Sequence, residues 1–183
     1  MMFAILGIGI ALVIGLAMIY NSLVAMRRLT ENAWADVDVY LQRRAQLVPN
    51  LVETVKGAAA FESNTLEKVV SARSEAAALH QPTASKALAE SELASGVSRM
   101  LMVAESYPVL QANQSFLGLQ RELSETERLI ASARQYYNAC VRDYNTLIES
   151  FPQAIVAGAM GLKPKDFFEI EDLTERAAPG VGL

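Results

Sequence analysis

One cysteine, one histidine and no surplus of basic charge narrow the field before any motif is read. Cys140 stands alone, which excludes an intramolecular disulfide. His80 stands alone, which removes most metal and acid–base sites. A carboxylate-bridged di-iron bundle, for example, needs two Glu-x-x-His pairs. The 20 acidic residues outnumber the 16 basic ones, and a nucleic-acid protein usually shows the opposite bias. No stretch alternates apolar and polar residues as a half-buried strand would. No glycine-rich phosphate loop follows a strand pattern, and no Ser/His/Asp set can be assembled. Asp36-x-Asp38 and Glu122-x-x-Glu125-x-Glu127 are acidic clusters on amphipathic segments, where such clusters read as solvated faces. The sequence therefore offers no catalytic residue, no metal ligand set, no cofactor site and no case for an enzyme.

Charge is also missing from residues 1–26. Within them, "FAILGIGIALVIGLAMIY" (Phe3–Tyr20) is apolar or small throughout. At about 1.5 Å per residue this run crosses most of a bilayer core of roughly 30 Å, and Asn21 to Met26 extend it. A secretory signal fits poorly, because no basic segment precedes the apolar run. Arg27 and Arg28 follow it. The positive-inside rule then puts the N-terminus outside and the rest in the cytoplasm. Gly7, Ala11 and Gly15 fall four apart on one stripe, the small-xxx-small spacing that lets membrane helices approach closely. Tyr20 stands where aromatic residues mark the membrane interface.

From Trp34 the pattern turns helical. Trp34, Val37, Leu41, Ala45, Val48, Val52, Val55 and Ala59 step by three or four, with Arg43, Arg44, Glu53 and Lys56 mostly off the stripe. Pro49 lies inside this run. A proline leaves the carbonyl four residues back, that of Ala45, without its helical donor. Two readings stay open: a helix that continues bent through Pro49, or a new helix with Pro49 in its first turn. The unbroken phase favours the bend.

A second helix can start at a Ser63 cap and bury Leu66, Val69, Val70, Ala76 and Ala77. Whether Leu51 to Leu79 forms one helix or two is open. "HQPTAS" reads as a turn, and a third helix covers roughly Ser85 to Ala104. The chain breaks at Pro108, and Asn113 or Ser115 can cap the next helix. That last long helix carries a heptad seam: Phe116, Leu119, Leu123, Thr126, Ile130, Ala133, Tyr137, Cys140, Tyr144, Leu147 and Phe151. Such a seam needs a facing helix, and the Trp34–Ala59 stripe is the candidate. Cys140 sits on it as a small hydrophobe.

"YN" recurs at Tyr137-Asn138 and Tyr144-Asn145, one heptad apart and so on one face. With Arg134, Arg142 and Asp143 they form either a polar network that fixes register or a recognition face for a partner. Beyond Pro152, "QAIVAGAMGL" carries no charge and is too short to span a bilayer. Its apolar residues Ile155, Val156, Met160 and Leu162 can cap the bundle, lie at the membrane surface or meet a neighbouring subunit. From residue 169 the chain is acidic and ends in small residues, which reads as a loose tail.

Three segments then accumulate into a resemblance. "YNSLVAMRRLTENAWADVDVYLQRRAQLVPNLVETVKG", "AESYPVLQANQSFLGLQRELSETERLIASARQYYNACVRDYNTLIESFP" and "GLKPKDFFE" resemble the LemA family. The resemblance covers nearly the whole chain after the apolar run and is weakest from Ser71 to Arg99. It implies a single-pass bacterial inner-membrane protein with a long antiparallel helical bundle, and relatives associated with membrane organisation, including magnetosome membranes. It implies no activity and no catalytic residues. The expectation is an all-α protein: an anchor over 1–26, a bundle of about four helices over 27–168 and a tail over 169–183. Its partners would be membrane lipid, further copies of itself, or a second membrane protein such as a protease or transporter.

Overall fold

The computed structural model describes residues 1–56 and 63–169, the side chains of Ser63 and Asn64 excepted. The Ser63 cap, the end of the first stripe at Ala59 and the tail beyond residue 169 lie outside the described residues. All regular structure among the described residues is helical: α1 (Met2–Lys56), α2 (Ser63–Ala78), α3 (Ala84–Ala104), α4 (Pro108–Gln111), α5 (Gln114–Glu149) and α6 (Gln153–Ala159). The four long helices match the expected set. The short α4 and α6 are additions that the apolar periodicity was too brief to reveal.

Local chemistry fixes the ends. The Thr83 hydroxyl accepts the Lys86 N–H at 3.2 Å and caps α3. Asn113 Oδ1 accepts the N–H groups of Ser115 and Phe116 at 2.9 and 3.3 Å and caps α5, filling donors a helix start leaves orphaned. Pro108 opens α4, where its missing N–H costs nothing. Gly161, at φ 66°, ends α6. Its N–H donates to Gly158 and that of Leu162 to Ala157, the paired closure a left-handed glycine permits.

The chain forms two compact units. One holds Met1–Asp36 and Gln135–Phe167. Outside the bare start of α1, its core joins Leu23 of α1, Tyr144 and Ile148 of α5 and Ala157 of α6, with Ile19, Met26, Leu147, Val156, Met160 and Leu162 packed around them. Trp34 meets Tyr137 edge to face, ring centroids 5.5 Å apart, a geometry aromatic quadrupoles favour. α1 and α5 are therefore antiparallel in this unit. At the end of α5 the buried position is Ile148, and Leu147 is only partly covered. The helix stops at Glu149, so Phe151 leaves the seam and is 83% exposed.

The other unit holds Val37–Arg134 with Phe168 and Glu169. Its core runs from Val48, Leu51, Val52 and Val55 of α1 through Leu66 and Val69 of α2 and Leu93, Val97 and Met100 of α3 to Phe116 and Leu123 of α5. α1 continues through Pro49 as one helix, so no new helix starts there. α2 runs back along it: Leu66 shares a cleft with Val52 and Lys56, whereas Arg73 reaches Ala45. Leu51 to Leu79 thus contributes to two antiparallel helices. α2 and α3 come close at Gly96, where an added Cβ would stand 2.9 Å from Val69 Cγ2.

Of the residues expected on the inner side of α2, Leu66, Val69 and Ala76 are buried, whereas Val70 and Ala77 are exposed. Arg44 is not off the buried stripe; it is fully buried. The inward positions of α1 are Leu41, Arg44 and Val48, and Ala45 is only partly covered.

Candidate functional site

The face carrying the tyrosine–asparagine pairs is occupied by the chain itself. After Gly161 the segment Leu162–Phe167 runs without regular structure as a strap. Asn145 grips it twice: Nδ2 donates to the Lys165 carbonyl and Oδ1 accepts the Lys165 N–H, both at 2.9 Å. The Tyr144 hydroxyl donates to the Lys163 carbonyl at 3.3 Å and the Tyr137 hydroxyl to the Asp166 carbonyl at 3.2 Å. An irregular segment has backbone groups with no ladder to join. Tyrosine and asparagine one heptad apart supply hydroxyls and a two-way amide at the spacing the strap needs. Asn138 is half-buried beside them, and Arg142 stays exposed.

Lys165 completes the clasp. Its ammonium donates to Thr30 Oγ1 at 2.5 Å and lies 5.3 Å from the Tyr144 ring centroid, within cation–π range. The Thr30 hydroxyl in turn donates to the Arg27 carbonyl. Burial lowers the Lys165 pKa, with Glu31 opposing that shift. Burial also pushes the Tyr137 hydroxyl up to about 12, helped by Asp166.

In the other unit, charge is buried in a linked set. Arg44 Nη1 donates to Glu127 Oε1 at 2.9 Å, and Nη2 donates to the Glu90 carbonyl at 3.0 Å and to its carboxylate. Lys86 Nζ pairs with the same carboxylate at 2.8 Å and donates to the Ala76 carbonyl at 2.9 Å. That carbonyl belongs to the last turn of α2, where a cation is favoured. Arg44 Nε has no hydrogen-bond partner among the described residues. Burial, and repulsion from Arg44, lower the pKa of nearby Arg134. Neither Glu90 nor Lys86 is marked by the sequence pattern. The available signal is Arg44, which falls three residues after Leu41 and four before Val48.

Pro49 leaves Ala45 without its helical donor, as its position requires. Arg73 Nε of α2 supplies the replacement, donating to the Ala45 carbonyl at 2.6 Å.

At the N-terminus, Gly7 and Ala11 are exposed and Gly15 is partly so. A Cβ on Gly7 or Gly15 would meet nothing within 4 Å. α1 contains a window long and apolar enough to cross a membrane, and none of that window is buried. Of the apolar segment, Val156, Met160 and Leu162 pack onto the first unit's core, whereas Ile155 is 66% exposed. Among the described residues no three His, Cys, Asp or Glu side chains gather as a metal site would require. Glu127 is committed to Arg44, and Glu125 pairs with Arg128. A cleft of about 460 Å³ between α2 and α3 is lined by Lys68, Glu75, Glu92 and Arg99 with small side chains, and it is half-enclosed.

These features define a class: an all-helical protein whose first helix begins with an uncharged apolar stretch and whose buried polar side chains bind the chain itself. Comparison with known proteins gives the particular family. The LemA family model matches residues 33–182, and the chain belongs to the LemA family. It is similar to the magnetosome protein MamQ of Paramagnetospirillum magneticum, 28% identical over 87% of this chain and 68% of that protein. MamQ of Magnetospirillum gryphiswaldense is 26% identical with the same coverage. Protein LemA of Metamycoplasma hominis is 24% identical over 84% of this chain and 70% of its own length. Family membership and the uncharged apolar stretch of α1 together mark a membrane-associated protein.

Proposed function

We propose that this protein is a self-assembling scaffold, anchored in the bacterial inner membrane by residues 1–26, with its N-terminus outside and its bundle cytoplasmic. The observation that carries this reading is the bare anchor: Gly7, Ala11 and Gly15 form a small-residue stripe with open space above it. Membrane helices associate through such close-approach stripes. The bundle contributes rigidity, and its buried arginine, lysine and glutamate are bound to one another. The names of its relatives state no reaction. Copies joined at the anchor would hold the bundles in a fixed array at the membrane surface.

Weighing the full-length protein one particle at a time, in polymer nanodiscs, tests the reading. A single defined homomeric mass is expected, falling to the monomer mass in Gly7→Leu/Gly15→Leu. An unchanged mass in that variant rejects anchor packing. A monomer that carries a stoichiometric second protein favours the other reading, an accessory subunit of a membrane protease or transporter. In that case Arg142 and its exposed surroundings are the surface to alter first, since Tyr137, Tyr144 and Asn145 already hold the strap.

A further inference from the structure

α6 packs on the part of α1 that leaves the membrane, and its outer side is apolar and bare. Ala157, Val156 and Met160 join the cluster built on Ile19, Leu23 and Met26. That contact fixes the depth of α6. Arg27, the first charge, belongs at the outer side of the headgroup layer; that layer is about 5–7 Å deep, or about four or five residues of helix, which puts the hydrocarbon edge near Ser22. Ile19 then lies just inside the hydrocarbon, and Leu23 and Met26 at headgroup level, before the first charge at Arg27. On the outer side of the same segment Phe151 is 83% and Ile155 66% exposed. No charged residue lies between Glu149 and Lys163.

We infer that the segment from Phe151 to Met160 is an interfacial foot, seated in the headgroup–acyl boundary of the leaflet through which α1 emerges. Its occupant is lipid. Three independent features converge on that surface. The inner side of α6 is continuous with the anchor's own apolar surface. The outer side presents a phenylalanine and an isoleucine that water would not favour. Tyr20, 51% exposed at the same level of α1, is a residue type enriched at membrane interfaces. A foot beside the anchor gives the unit two points of attachment, and two points restrict rotation and tilt where one helix alone would not.

The inference rests on the anchor reading, and one experiment separates the two. Single-cysteine variants are made on Cys140→Ala: Ile10→Cys in the anchor, Ile155→Cys in the foot and Arg142→Cys as a water-exposed reference. Each is spin-labelled in full-length protein, in nanodiscs of phosphatidylcholine and phosphatidylglycerol. Accessibility to oxygen and to a water-soluble nickel chelate is then measured by electron paramagnetic resonance. The expected result is an oxygen-to-nickel ratio several-fold above the Arg142 reference at both Ile10 and Ile155. A lipid-like ratio at Ile10 with a water-like ratio at Ile155 overturns the foot and leaves the anchor. A label at Ile155 shielded from both reagents places protein there, a second copy, and also overturns it. A water-like ratio at Ile10 overturns both readings. Phe151→Cys repeats the measurement should Ile155→Cys disturb α6.

Discussion

Arg73 Nε lies 2.6 Å from the carbonyl oxygen of Ala45, the group that Pro49 strips of its helical donor. The proline and the arginine are therefore two halves of one arrangement, on different helices. Arg73→Met should cost about 1.5–3 kcal/mol, the value of a charge-assisted bond to a carbonyl that is otherwise left unpaired. On a Pro49→Ala background the same change should cost much less, because residue 49 then donates to Ala45 itself. Urea unfolding of the four proteins of this cycle measures the coupling, and equal costs on both backgrounds would refute the compensation.

Asn145 holds the strap by a donor and an acceptor on one amide. Asn145→Ala should lose about 2 kcal/mol of local strap stability, at about 1 kcal/mol per neutral bond. Amide exchange of Lys165 should quicken roughly 30-fold, since each 1.4 kcal/mol is a factor of ten. Protection unchanged at Lys165 would mean that the tyrosines alone hold the segment.

The buried set of Arg44, Lys86 and Glu90 should be costly to break and cheap to replace. Glu90→Leu alone leaves Lys86 with no carboxylate and Arg44 with Glu127 only, and should destabilise by about 3–5 kcal/mol. The triple variant Arg44→Met/Lys86→Met/Glu90→Leu should recover most of that loss, because buried ionic groups are exchanged for packing and the one charge left unpaired, Glu127, is 40% exposed and can be hydrated. Denaturant midpoints with unchanged slopes would report both effects, and a triple variant no more stable than the single one would contradict the argument.

Gly96 permits the close approach of α2 and α3. Gly96→Ala gains up to about 1 kcal/mol of helix propensity but places its Cβ against Val69, where overpacking costs about 1–3 kcal/mol. The net effect should be destabilising in the native background. On Val69→Ala the clash is gone and the same change should raise the melting temperature. A rise in both backgrounds would show that the helices separate freely.

Alkaline pH should weaken the first unit. Tyr137 has its hydroxyl pKa raised to about 12 in the folded protein, against about 10 for a free tyrosine. A group whose folded pKa is raised contributes stability fully present below its unfolded pKa, and that stability is lost as pH rises from about 10 through about 12. Lys165, lowered by burial, acts in the opposite direction. The melting temperature should therefore fall between pH 10 and 12, and less steeply in Tyr137→Phe. An equal slope in the two proteins would remove Tyr137 from the account.

Much of this molecule is written in residue spacing. Long uncharged and amphipathic runs fix α1, α2, α3 and α5, because helical burial needs only a period near 3.6 and enough length. The orphaned Ala45 carbonyl results from Pro49 by covalent geometry alone. Tyrosine and asparagine repeated at a heptad mark a polar face in the same way. What the sequence could not decide is who meets each of these groups. Arg73 at Ala45, Glu90 and Lys86 around Arg44, and the strap across Asn145 join residues 20 or more positions apart in most cases. Such partners are selected by how helices pack and where turns aim the chain, and periodicity within one helix carries no record of that. Tertiary structure also turned the Tyr/Asn face inward onto the chain and set α6 against Ile19, Leu23 and Met26 of α1. Irregular backbone must find hydrogen bonds and short apolar segments must find cover, and only the folded chain brings either within reach.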